Sequence, residues 1–364
     1  MGWSHTMPPM SMNEIWGLSQ ETIEELADEL VEFHQEFAPL FRTKTRDVSE
    51  HGFTGLKGSL LMKGTRSYVE VARQIVEPLD DGQNSQHFMS DSPWSSRDMF
   101  DTIQAQIRDM PTLSGGMLNL DDSGDRCSSS GKAGAQRQYL GRLGKVDIGQ
   151  VGVVASYYHD GVWALVDAEL FVPESWFTTE KKTVWKRCHI PPERTFASKL
   201  ELALERIDHA MAQGLPFEVV GADTWYGRDG DFRDHIAAKG TWYMMSIPCN
   251  TDVYLEEPQL GVPQKPAGQR GPACRNERVL NDVSPVKVSQ LARQREFETI
   301  EVRQYERGVL RNDFAFCEVW TLREEERQDG DGEPFTGLRA VKELLVIRRE
   351  ASSKISYSLT NAPL

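Results

Sequence analysis

Apolar residues recur at Ile15, Ile23, Leu26, Leu30, Phe33, Phe37 and Leu40. Steps of three and four place them on one face at 3.6 residues per turn, which predicts a long amphipathic helix over residues 14–40. A similar pattern over about 60–76 (Tyr68, Ala72, Ile75) predicts a second helix. A third starts after Ser95 or Ser96, either a natural N-cap, with Phe100, Ile103 and Ile107 as its stripe. The helical period ends in the breaker-rich stretch 111–116. A short apolar run, 117–120, then leads into Asp121-Asp122-Ser123-Gly124. Two β-patterned segments, 151–156 and 162–172, flank the turn residues His159-Asp160-Gly161 and predict a hairpin. Helical spacing returns over 198–213 and stops at Gly214. Residues 217–222 read as a buried strand ending at Asp223, 228–238 as a helix and 242–247 as another strand. This order predicts a mixed α/β core. Beyond Pro248 the helical period disappears, and alternating segments at 297–302, 313–321, 343–348 and 355–359 predict a β-rich region.

Composition supports a packed protein with more than one structural unit: 364 residues, 39% hydrophobic, with 9 Trp, 9 Tyr and 15 Phe. No run approaches the roughly 20 apolar residues of a membrane span, and the N-terminus lacks a basic-then-apolar leader, so a soluble, cytoplasmic chain with no membrane partner is expected. The five cysteines lie far apart without a CxxC, which argues against a zinc knuckle or a disulfide framework. HExxH, GxSxG and P-loop frames are absent, which disfavours a zinc protease, a serine hydrolase and an ATP-driven motor. The net charge of -14 opposes nucleic-acid binding over the chain as a whole. It is unevenly spread: residues 1–110 hold 9 Lys+Arg against 18 Asp+Glu, whereas 126–199 hold 11 against 7 and 264–295 hold 7 against 2. A polyanion would therefore meet the middle of the chain.

Two predicted strands end in aspartate, one at Asp121 or Asp122 and the other at Asp223. Such residues are commonly turn formers that bond their own backbone. Carboxylates at strand ends also converge on hard cations, and a pair of Mg²⁺ ions held by oxygen ligands stabilises both the entering and leaving oxygens of a phosphodiester.

A set of ordered phrases bears on that choice. Asp121-Asp122-Ser123-Gly124, Arg137-Gln138-Tyr139-Leu140-Gly141-Arg142-Leu143-Gly144-Lys145, Leu170-Phe171-Val172-Pro173-Glu174-Ser175-Trp176, Phe196-Ala197-Ser198-Lys199 and Ala222-Asp223-Thr224-Trp225-Tyr226-Gly227 together resemble the landmarks of DDE-superfamily transposases of bacterial insertion sequences. Phe88-Met89-Ser90-Asp91-Ser92-Pro93-Trp94 and Asn361-Ala362-Pro363 extend the resemblance over nearly the whole chain. It implies an RNase H-like core at residues 113–249, a helical DNA-binding region at 1–112 and a β-rich insertion after the second Asp at 250–364.

The resemblance also implies catalytic and metal-binding roles for Asp122 and Asp223, with Asp121 as a substitute ligand, and Mg²⁺ or Mn²⁺ as cofactor. Tyr226 would position the DNA strand or simply pack, and Arg137, Arg142, Lys145 and Lys199 would face DNA phosphates. The implied activity is cleavage of double-stranded DNA at element ends and transfer to a target, by a homodimer, in the cytoplasm or on the nucleoid. The family's third acid, a Glu in a Tyr-x2-Arg-x3-Glu-x6-Lys helix, has no match; Glu324, Glu325, Glu326, Glu343 and Glu350 fall outside that pattern. The expectation is a truncated transposase, with a non-catalytic DNA-binding regulator as the alternative.

Overall fold

The structure, a computed structural model, describes residues 17–364 apart from 65, 266, 267, 269, 271, 273, 306, 307 and 331. Residues 14–16 of the first expected helix lie outside the described residues. The chain divides into two compact units between Ile103 and Gln104.

The first unit is helical. α1 (Gln20–Phe37) starts where the Ser19 hydroxyl accepts from the Thr22 N–H, six residues after the start at 14 that the apolar spacing predicts. α2 (Ser49–Leu61), rich in glycine and without a clear apolar stripe in the sequence, is followed by a break and then α3 (Tyr68–Ile75), capped by Ser67. The single helix expected over 60–76 is thus split, because Ser67 bonds the Glu70 N–H and begins a new helix. Gly58 is required here: a Cβ would stand 2.6 Å from Val71 Cγ1, so α2 and α3 pack only with a bare backbone at that point. α4 (Gln83–Ser90) and the first part of α5 (Ser96–Arg108), within which the division falls, complete the unit. Phe37, Phe41, Val48 and Phe88 form its core.

The second unit is a mixed α/β assembly built on one large sheet. Its strands are β1 (Gly116–Arg126), β2 (Gln136–Leu140), β3 (Lys145–His159), β4 (Val162–Phe171), β5 (Phe217–Ala222) and β6 (Trp242–Ile247). After the short strands β7 (Asp252–Val253), β8 (Leu260–Gly261), β9 (Arg278–Val279) and β10 (Val286–Lys287) come β11 (Glu298–Tyr305), β12 (Gly308–Gln328), β13 (Pro334–Arg349) and β14 (Ile355–Thr360). The sheet order is β11-β12-β13-β14-β6-β5-β1-β3-β2, with β4 on β3. β1, β5 and β6 pair in parallel and the other pairings are antiparallel, as in an RNase H-like mixed sheet. The β-rich segment after residue 250 continues this sheet through β14, which pairs with β6, with Tyr357 opposite Ile247.

Short helices α6 (Thr179–Lys182), α8 (Thr224–Gly227) and α10 (Val288–Leu291) accompany the longer α7 (Lys199–Ala212) and α9 (Gly230–Ala238). α7 begins with a reciprocal capping box between Ser198 and Glu201, which satisfies two N-terminal donors. It packs on β3 and β4, and α8 and α9 pack on β6. Leu118, Leu120, Val153, Ala155, Tyr157, Val220, Tyr243 and Met245 are fully buried. Alternation along the strands sends their neighbours, such as Met117, Asn119, Ser156 and Met244, to the other face, where they line an open cavity.

A carboxylate pair at the end of two parallel strands

β1 runs through its acidic motif and does not stop before it. Successive side chains in a strand point to opposite faces, so Asp121 and Asp122 part company. Parallel pairing of β1 with β5 ends at Leu120 opposite Ala222, and the next residue on each strand is Asp121 and Asp223. Both line one cavity of about 600 Å³, with Met117, Asn119, Ser156, Trp163 and Arg348 among its walls.

Each member of this pair is held through one oxygen. Asp121 Oδ1 accepts from the Asp122 N–H at 2.7 Å. Asp223 caps α8, its Oδ1 accepting from the N–H groups of Trp225 (2.9 Å) and Tyr226 (3.4 Å). The Oδ2 atoms of Asp121 and Asp223 have no hydrogen-bond or ion-pair partner among the described residues. Burial pushes the Asp121 carboxyl above the ordinary aspartate range; the Asp122 N–H opposes this, and the charges of Asp223 and Asp122 add to the rise. Carboxylates left unneutralised side by side in this way attract a hard cation.

Asp122 is engaged differently. Its Oδ2 lies 2.5 Å from Lys199 Nζ and its Oδ1 accepts from the Tyr226 hydroxyl at 2.7 Å. Tyr226 is 1% exposed, and burial together with the Asp122 charge raises its pKa far above the usual phenol, so it stays a donor. The Lys199 ammonium sits 5.4 Å from the Phe171 ring centre and 5.6 Å from that of Trp225. The first ligand assigned from the sequence, Asp122, is therefore tied into a bridge between β1, α7 and α8. Its substitute, Asp121, shares the cavity with Asp223.

Among the expected DNA contacts, Lys199 is bound to Asp122, Arg142 stands 3.5 Å from Asp125 and Lys145 3.2 Å from Asp147. Arg137 is exposed on β2 and has no ion-pair partner among the described residues. Glu343, one of the spare glutamates, is fully buried beneath Arg233, Arg323, Thr321 and Tyr243, away from the acidic pair's cavity lining. No group of three or more His, Cys, Asp or Glu side chains is placed to hold a metal among the described residues. Sequence reasoning missed Trp163, Ser156 and Arg348 as cavity walls; the exposed Trp on a strand was the available signal for the first, and the other two depend on strand register.

Comparison with known proteins decides the family. The model of the DDE superfamily endonucleases matches residues 36–309, which include both cavity aspartates. The chain belongs to this family. A probable transposase for insertion sequence element IS701, from Microchaete diplosiphon, is 26% identical over 205 residues, which is 55% of this chain and 49% of the relative. The chain thus spans about half the length of that curated relative. In this DDE endonuclease family member the described residues include no helix long and apolar enough to cross a membrane.

Proposed function

We propose that the chain acts as a transposase, cutting DNA at the ends of an insertion sequence and joining those ends to a target. The observation that carries this reading is the unneutralised pair Asp121 and Asp223, side by side at the end of parallel strands in one open cavity. Two all-oxygen ligands with room for waters suit Mg²⁺ or Mn²⁺, which bind through few carboxylates and keep much of their hydration. When bound, such an ion polarises the scissile phosphate and lowers the pKa of an attacking water. Asp121 and Asp223 would hold it. Asp122, through Lys199 and Tyr226, fixes the relative position of the strand and the helix that carry those two carboxylates. The residue opposite Asn119 on β3 is Ser156, which with Trp163 and Arg348 shapes the cavity wall against which the DNA strand would lie. Association as a homodimer on two DNA ends belongs to the same reading.

The test is nicking of supercoiled plasmid in Mg²⁺ or Mn²⁺. The intact protein is expected to convert it to open circle, and Asp223→Asn to leave it closed. A second reading, a DNA-binding regulator that does not cut, is favoured by the absence of a third clustered acid among the described residues. DNA binding without nicking under all metal conditions would support it against the first.

A further inference from the structure

We infer that residues 173–197, the lobe between β4 and α7, form the docking surface for the phosphate backbone of duplex DNA. This rests on the reading of the chain as DNA-acting. Ion pairing sorts the basic residues of the middle segment into two sets. Arg142, Lys145, Arg194 and Lys199 each have a carboxylate partner. Lys132, Arg137, Lys181, Lys182, Lys186 and Arg187 have no carboxylate within 4.0 Å among the described residues, and the last four lie together in the lobe, in a chain whose net charge is -14. Cations left unneutralised in such a protein form a local positive surface that a polyanion can use.

The lobe holds these cations on a rigid base. Val172, Trp176, Trp185 and Ile190 make a core of its own. Trp185 Nε1 donates to the Trp176 carbonyl at 2.9 Å, and the Phe177 ring meets Trp185 and Phe196 edge-on at 5.2 and 5.8 Å. Lys181 Nζ lies 4.7 Å from the Trp176 ring centre and Lys182 Nζ 5.4 Å from that of Trp185. Stacking over the indoles restricts both side chains before any phosphate arrives, so less entropy is lost on contact. Lys182, Lys186 and His189 border a groove of about 570 Å³ floored by Trp185, Ile190 and the two prolines that follow.

The chain on either side of the lobe meets the bridge that holds Asp122. Phe171, where β4 ends, and Phe196 flank the start of α7, whose Lys199 bonds Asp122 beside Asp121.

The experiment is a fluorescence-anisotropy titration of a labelled duplex with the intact protein across a KCl series, without divalent ions. The variant Lys186→Ala/Arg187→Ala removes two cations that do not stack on the tryptophans, and its fold is checked by circular dichroism. The slope of log K against log salt is expected to shrink by about 1.8, or 0.9 for each duplex phosphate contact. A slope unchanged on the duplex but reduced by about 1.4 on a labelled single strand of the same length would mark single-stranded contacts and overturn the duplex assignment. An unchanged slope and affinity in the folded variant would overturn the surface itself. Loss of nicking in Asp223→Asn and a reduced salt slope in the lobe variant report on separate claims.

Discussion

Adjacent aspartates differ in surroundings because a strand sends them to opposite faces. Asp121 reaches the cavity with one oxygen unengaged, whereas Asp122 bridges Lys199 and Tyr226. In the nicking assay, Asp121→Asn is expected to abolish cleavage as Asp223→Asn does. Asp122→Asn, which loosens a supporting contact, should reduce the rate by about 10–100-fold. Lys199→Gln should give a similar loss, and the double variant should fall well short of the product of the two, because both changes break one bridge. Full additivity would show that the two residues act independently. The acidic motif itself was legible in the sequence. Which of its members faces the cavity was not, since the apolar run of 117–120 suggests a strand that stops, while β1 continues to Arg126 through pairing with β3.

Elements fix the site by close approach and by buried charge. Gly227 closes α8 against β6, where a Cβ would collide with the Ser246 carbonyl. Gly227→Ala should destabilise the protein by about 1–3 kcal/mol and displace the helix that Asp223 caps; a thermal midpoint equal to that of the unaltered protein would contradict this. On β13, burial opposes ionisation of Glu343, but Arg233, Arg323, Thr321 and Tyr243 outweigh it and hold its pKa below the ordinary 4.5. A carboxylate depressed on folding stabilises the native state above its unfolded pKa and loses that contribution as pH falls through the folded value. Denaturation midpoints should therefore drop on acidification below about pH 4.5. Glu343→Gln should cost about 3–5 kcal/mol at neutral pH, leaving two buried guanidiniums underpaired, and should flatten that acid limb. A variant with an unchanged acid limb would place the dependence elsewhere. Helix α7 and strands β5 and β6 were readable from period and caps. α2 was not, because its glycines carry no apolar stripe; Gly58 is explained by packing on Val71 of α3 and Gly52 by the rings of Phe41 and Phe88.

Across the whole molecule, the acidic helical unit and the sheet-based unit have separate cores. The mixed α/β class followed from the order of elements. The joining of the late strands to the same sheet did not, because β14 reaches β6 from more than 100 residues away and no local pattern encodes that pairing. Charge is uneven as well, with Lys181, Lys182, Lys186 and Arg187 of the lobe lacking a carboxylate partner among the described residues. The central claim is that Asp121 and Asp223 together hold a divalent ion. Mn²⁺ binding followed by electron paramagnetic resonance measures this without requiring turnover. The account predicts that Asp121→Asn and Asp223→Asn each weaken Mn²⁺ binding by about tenfold or more, and that Asp122→Asn changes it less. Tight Mn²⁺ binding retained in Asp121→Asn and lost in Asp122→Asn would contradict it.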